Sequence, residues 1–110
     1  MEIVLRENGD IKIVAITGNL DTNTAAEFEK ALNGVLDEGV QKLLINFESM
    51  EYISSAGLRV LLTLAKKMTS TGGSLKLCSL NETAQEVFDM SGFSTIFQIH
   101  KTEEEAITNY

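Results

Sequence analysis

The sequence predicts one α/β domain built on a mixed, mostly parallel β-sheet, with an N-terminal hairpin and about four α-helices. Three observations predict it. Two β-patterned runs at the start are joined by an Asn-Gly turn; short apolar runs then alternate with stretches of helical period; and the 110 residues contain no proline, no linker-like tract and no internal repeat. Strands that alternate with helices pair in parallel through right-handed crossovers. The length suits a single domain over residues 1–110, whose core needs neither disulfide nor metal.

The elements follow in order. Ile3, Val4 and Leu5, the turn Glu7-Asn-Gly-Asp10 and the run Ile11 to Thr17 read as two strands of a hairpin. Gly18 to Thr24 is polar and reads as a turn, and Thr24-Ala-Ala-Glu27 has the spacing of a capping box. Ala25, Phe28, Ala31, Leu32, Val35 and Leu36 recur every three or four residues, which predicts a helix closing near Gly39. Lys42 to Phe47 is short and almost continuously apolar, as an internal strand covered on both faces would be. Tyr52 to Leu62 then carries a small, polar bend straight into an apolar helical run. Its stripe is Leu58, Leu61, Leu62, Ala65 and Met68, and Gly72-Gly73 ends it.

Ser74 to Ser79 alternates as a strand. Asn81 suits the N-cap of a third helix whose apolar side is Ala84, Val87, Phe88 and Met90, with Gly92 as its stop. A last short strand is expected from Thr95 to Ile99. Thr102-Glu-Glu-Glu105 repeats the capping-box spacing and puts acids in the first turn of a final helix, where the dipole favours them.

Composition narrows the function. Nine Lys and Arg against sixteen Asp and Glu give a formal net charge of −7, and no basic cluster is present to follow a phosphate backbone, so nucleic acid is not the expected partner. The first residues lack the pattern of a secretory signal, and the strongest apolar run, Val60 to Ala65, falls well short of a membrane span. A single cysteine, Cys78, has no Cys or His at metal-ligand spacing and reads as a buried core thiol. These features predict a cytoplasmic protein without membrane, metal or cofactor.

The chemical readings are tested at the bend. A serine nucleophile needs a base, and the only histidine, His100, lies at the far end of the chain. The nucleophile-elbow pattern is missing, because the bend reads Ser54-Ser-Ala-Gly57, and neither this nor Gly72-Gly-Ser74 makes a phosphate-binding P-loop. The expectation is therefore not an enzyme. Ser54 and Ser55 stand where a helix offers unpaired N–H groups and the positive end of its dipole, a place for a cap and for an anion alike.

Three segments in order, Thr17-Gly-Asn-Leu-Asp21, Tyr52-Ile-Ser-Ser-Ala-Gly-Leu58 and Val87-Phe-Asp-Met-Ser-Gly-Phe93, make the chain resemble a STAS domain of the small bacterial anti-sigma factor antagonists. The resemblance covers Ile11 to the C-terminus. It implies that the unmodified protein binds an anti-sigma factor that is also a serine kinase, releasing the sigma factor. Phosphorylation of one serine inactivates it, and a separate PP2C-type phosphatase reverses the change. Aligning Gly57 and Leu58 puts that serine at Ser55, with Ser54 as the alternative acceptor. Asp21 matches the family's aspartate near the phosphorylation site, beside its plainer role as a turn residue. The implied partner surface is Asp21, Ser54, Ser55, Gly57 and Arg59. Two positions depart from the family pattern: Ser54 stands where aspartate is common, and Arg59 where glycine is. Arg59 lies four residues beyond Ser55, within a helical turn of it. The alternative is a STAS binding module that is not phosphorylated and serves a larger assembly, for example as a nucleotide or lipid-system accessory.

Overall fold

The computed structural model describes residues 1–110. Its elements are β1 (Glu2–Asn8), β2 (Ile11–Leu20), α1 (Ala25–Asp37), β3 (Lys42–Ile53), α2 (Ser55–Ser70), β4 (Ser74–Cys78), α3 (Glu82–Ser91), β5 (Gln98–His100) and α4 (Glu103–Thr108). The strands form one sheet in the order β1-β2-β3-β4-β5, antiparallel at the β1–β2 hairpin and parallel from there on.

This order dictates where the helices go. Right-handed crossovers that step in one direction across a sheet put every connecting helix on the same face. The main core is accordingly one-sided: Val14 and Ile16 of β2, Leu43, Ile45 and Phe47 of β3, and Leu75 and Leu77 of β4 pack under α1, α2 and α3. The other face holds a smaller cluster, Ile11, Ile13, Leu44 and Cys78, covered by Ala106 of α4. Cys78 is fully buried, as expected, and burial pushes its thiol pKa up.

The hairpin turn is Gly9-Asp10, with Gly9 at φ +63° as the first central residue of a type II′ turn requires. Both strands of the site run further than their sequence suggests. β2 continues through the expected turn to Leu20, and β3 continues from Phe47 to Ile53. The ladder between them shifts register twice, between Ala15 and Thr17 and again between Gly18 and Asn19, with the extra residue on β3 each time. Each bulge re-phases the alternation. The inward residues of β3 therefore become Phe47, Met50 and Ile53, three apart instead of two.

Other expectations are corrected locally. Thr24 takes helical dihedrals and makes no side-chain cap; its hydroxyl accepts from Asp21 N–H (2.9 Å) and donates to Asn19 O (2.8 Å), so the capping box is not formed. The last strand is present but starts later than the expected Thr95, because Thr95 to Phe97 lie outside it. Phe93–Thr95 closes a 3₁₀ turn after Gly92 (φ +80°), and β5 begins only at Gln98. Met90 is 88% exposed and lies outside the core, whereas Phe88 is fully buried. Asn81 caps α3 as expected, accepting from Ala84 N–H at 2.8 Å.

α4 is short for a helix left to cover a sheet face alone, and polar ties hold it. Thr102 caps it, accepting from Glu105 N–H at 3.1 Å. The Glu103 carboxylate receives both guanidinium nitrogens of Arg6 (2.6 and 3.1 Å) and the side-chain amide of buried Asn46 (2.9 Å). The Arg6 contact is the main reason its pKa lies below the usual carboxylate range. Beyond α4, the Tyr110 hydroxyl lies 2.5 Å from Leu43 O and 2.8 Å from Ser74 O, and its single proton bridges the starts of β3 and β4.

Burial raises the Tyr110 pKa above that of a free phenol. Between the two values the unfolded phenol ionises while the folded one keeps its proton, so stability present below about pH 10 falls as pH rises further. Tyr110→Phe is expected to cost about 1 kcal/mol at neutral pH and to remove part of that alkaline loss. Urea denaturation at pH 7 and pH 11 reads both effects.

Candidate functional site

The two bulges carry β2 and β3 out to a shared end. There Leu20 pairs with Ile53, and the Ser54 N–H donates to Leu20 O at 2.9 Å. The chain turns at once into α2. Ser54 is its N-cap, extended at φ −99° and ψ 173°, with the side-chain oxygen accepting from Gly57 N–H at 3.4 Å. Ser55 is the first helical residue. Ser54 is half-buried and engaged with the backbone, whereas Ser55 is exposed. The cap bond is long, so Ser54→Ala is expected to cost no more than about 1 kcal/mol of stability and to leave modification of Ser55 intact. Thermal melts together with a phosphorylation assay check this.

Gly57 faces inward. A Cβ there would lie 2.8 Å from Leu20 Cγ, 2.9 Å from Leu20 O and 3.0 Å from Ile53 Cγ1, so only glycine lets the first turn of α2 sit on the ends of β2 and β3. Its place in the site is beneath the surface. Asp21 lies at the neighbouring turn. Its carboxylate accepts from Asn23 N–H at 2.9 Å, and its carbonyl accepts from Thr24 and Ala25 N–H at the start of α1. The capping role expected of Thr24 falls largely to Asp21, which remains half-buried beside the residue that anchors Ser54.

Arg59 is exposed on α2, and its side chain is in no salt bridge. The first turn of α2 has no acidic residue to offset the dipole. The N-terminus of α2 thus combines free N–H groups, an exposed hydroxyl and a nearby cation. Exposed Glu51 and Tyr52 precede it on the extension of β3. The sequence does not show that β3 extends through them, because the pattern from Glu48 to Tyr52 does not alternate.

His100 is not brought to the serines. It sits on β5, with Nδ1 3.6 Å from Glu105 and Nε2 3.4 Å from Lys76 Nζ. No group of three or more His, Cys, Asp and Glu is placed to hold a metal ion, and no helix is long and apolar enough to cross a membrane. Five surface depressions are lined by residues other than Ser54, Ser55 and Arg59. The site is an open protein surface.

The site is an exposed serine at the N-terminus of the second helix of a five-stranded mixed sheet. The STAS domain family model matches residues 2–106. BtrV of Bordetella bronchiseptica, provisionally named an anti-sigma factor antagonist, is 33% identical over 106 residues, covering 96% of this chain and 91% of that protein. The anti-sigma F factor antagonist of Paenibacillus polymyxa is 26% identical over 113 residues, covering 98% and 93%. A crystal structure from Thermotoga maritima, described in similarly provisional terms as an anti-sigma factor antagonist, superposes with a TM-score of 0.93 at 26% identity, covering 97% and 92%. The chain belongs to the STAS-domain family of anti-sigma factor antagonists, which are regulatory proteins and not enzymes.

Proposed function

We propose that the protein is a phosphorylation-switched antagonist: unmodified, it binds an anti-sigma factor through the surface around Ser55 and α2, and phosphate on Ser55 ends that binding. The observation that carries the reading is the division of labour between the two serines. The Ser54 oxygen is used as a helix cap, while Ser55 is exposed at the first helical position. A kinase can therefore reach the Ser55 hydroxyl without unfolding the helix end.

In the forward step the partner, acting as a serine kinase, transfers the γ-phosphoryl of ATP to Ser55 Oγ; the hydroxyl loses its proton and ADP leaves. In the reverse step a PP2C-type phosphatase adds water across the phosphoester, restoring the hydroxyl and freeing phosphate. The phosphoserine brings about −1.5 to −2 charge at neutral pH. The positive end of α2 and the Arg59 guanidinium are suited to hold it. Asp21, Ser54 and Arg59 belong to the contact surface in this reading, and Gly57 supports it from below.

Binding is the first test. Titration calorimetry with the anti-sigma factors of the source organism is expected to find one that binds the unmodified protein; binding to none of them would sink the reading. Arg59→Ala adds a second. It is expected to change partner affinity several-fold more in the phosphorylated form than in the free form, read by parallel titrations. Equal effects would remove Arg59 from the switch.

A further inference from the structure

We infer that β1 is the interface of a homodimer, in which two copies join their sheets edge to edge about a two-fold axis at Val4. The two edges of the sheet are unlike. β5 is three residues long, whereas β1 has seven residues, almost all exposed, paired with β2 along its whole length without a bulge. Sheet edges are normally guarded by shortness, proline, bulges or outward charge. β1 has no proline and no lysine, and two of its charges are turned to partners within the chain, Arg6 to Glu103 and Glu7 to Lys12. It also leaves two large apolar side chains open, Val4 at 44% and Leu5 at 48% exposure, one on each face of the sheet.

The register of the hairpin says which groups face outward. Asn8 and Ile11 close the two-residue turn, and such a closing pair exchanges both backbone hydrogen bonds. Bonded and non-bonded pairs alternate along an antiparallel ladder. Asn8, Arg6, Val4 and Glu2 therefore spend their backbone groups on β2, and Glu7, Leu5 and Ile3 present theirs to the open edge.

One antiparallel register with a second copy satisfies both the backbone and the charges. With Val4 opposite Val4, Ile3 and Leu5 fall opposite each other as bonded pairs, and Glu2 falls opposite Arg6 on both sides of the axis. Moving the axis to Leu5 sets Glu2 against Asn8 and Val4 against Arg6, and moving it to Ile3 sets Glu2 against Val4; both lose the ion pairs. Arg6 keeps its bonds to Glu103, because a guanidinium has five donors. The pairing covers Val4 and Leu5 and makes a continuous ten-stranded sheet. Because the axis reverses one copy, the two Ser55 surfaces, which lie beyond the C-terminal ends of β2 and β3, point in opposite directions and both stay open.

Sedimentation equilibrium on the full chain is expected to show a concentration-dependent species of twice the 12.1 kDa chain mass. Glu2→Lys is expected to weaken it about tenfold, since the like-charge pair it creates occurs twice. Val4→Cys fixes the register. Its two thiols would face each other about 4.5 Å apart at Cα, within disulfide reach, so a mild oxidant should convert the dimer to a covalent one. Glu7→Cys, away from the axis, should not cross-link. Native Cys78 is buried and does not interfere. A monomer at every concentration, or equal cross-linking at positions 4 and 7, overturns the proposal.

Discussion

Phosphorylation of Ser55 is expected to weaken binding to the anti-sigma partner about a thousandfold, which corresponds to about 4 kcal/mol. The size follows from where the charge arrives. Ser55 is exposed, and the proposed contact surface includes its hydroxyl. A doubly charged phosphate placed there must be desolvated by the partner or must push it away, and a mismatch of this kind costs several kcal/mol. The fold has no need to move, because the modified side chain stays at a helix end that already favours an anion. Ser55→Asp should reproduce part of the loss and Ser55→Ala little of it, when each is titrated against the same partner.

Gly57→Ala is expected to destabilise the protein by about 2 kcal/mol, a drop in Tm of roughly 10 °C for a domain of this size. The new methyl would press on Leu20 Cγ, Leu20 O and Ile53 Cγ1 at 2.8, 2.9 and 3.0 Å. None can yield cheaply. Leu20 and Ile53 are 0% and 3% exposed, and Leu20 O is held by the Ser54 N–H. The gain in helix propensity, at most about 1 kcal/mol, offsets only part of the overpacking. Gly34→Ala is the control: it sits within α1 with nothing within 4 Å of its Cβ position, and should stabilise by about 0.5–1 kcal/mol. Differential scanning calorimetry of the two variants gives both signs. Because a displaced α2 also displaces Ser55, Gly57→Ala should slow phosphorylation as well, whereas Gly34→Ala should not.

What could be read in the sequence, and what could not, divides by how local the cause is. The element order, the cap at Asn81 and the stop at Gly92 follow from short-range patterns, and the structure has them; the stripe expected for α2 holds at Leu58, Leu61 and Met68, but the buried face also takes in Val60 and Leu64 and leaves Leu62 outside the core. The extensions of β2 and β3 do not follow from such patterns, because two bulges change the spacing of inward residues from two to three, and Phe47, Met50 and Ile53 then resemble no single period. Thr24 had the spacing of a cap, but its hydroxyl is taken by Asn19 and Asp21, a competition set by the turn. Glu103 to Glu105 looked like dipole compensation alone. Only tertiary pairing with Arg6 and Asn46 shows why Glu103 is there.

At the site, the serine pair and the glycine were legible as a helix start. Which serine is free was not, since that depends on Ser54 using its oxygen for the Gly57 N–H. The burial of Gly57 was equally hidden, because it comes from the approach of α2 to Leu20 across the β2–β3 end.

In the proposed switch Ser55 Oγ is the acceptor, and one measurement tests this most directly. Incubating the protein with its anti-sigma kinase and ATP, then locating the phosphate by fragmentation mass spectrometry, should place a single phosphate on Ser55, absent from Ser55→Ala and retained in Ser54→Ala. Phosphate on Ser54, or none on either serine while the partner still binds, would contradict it.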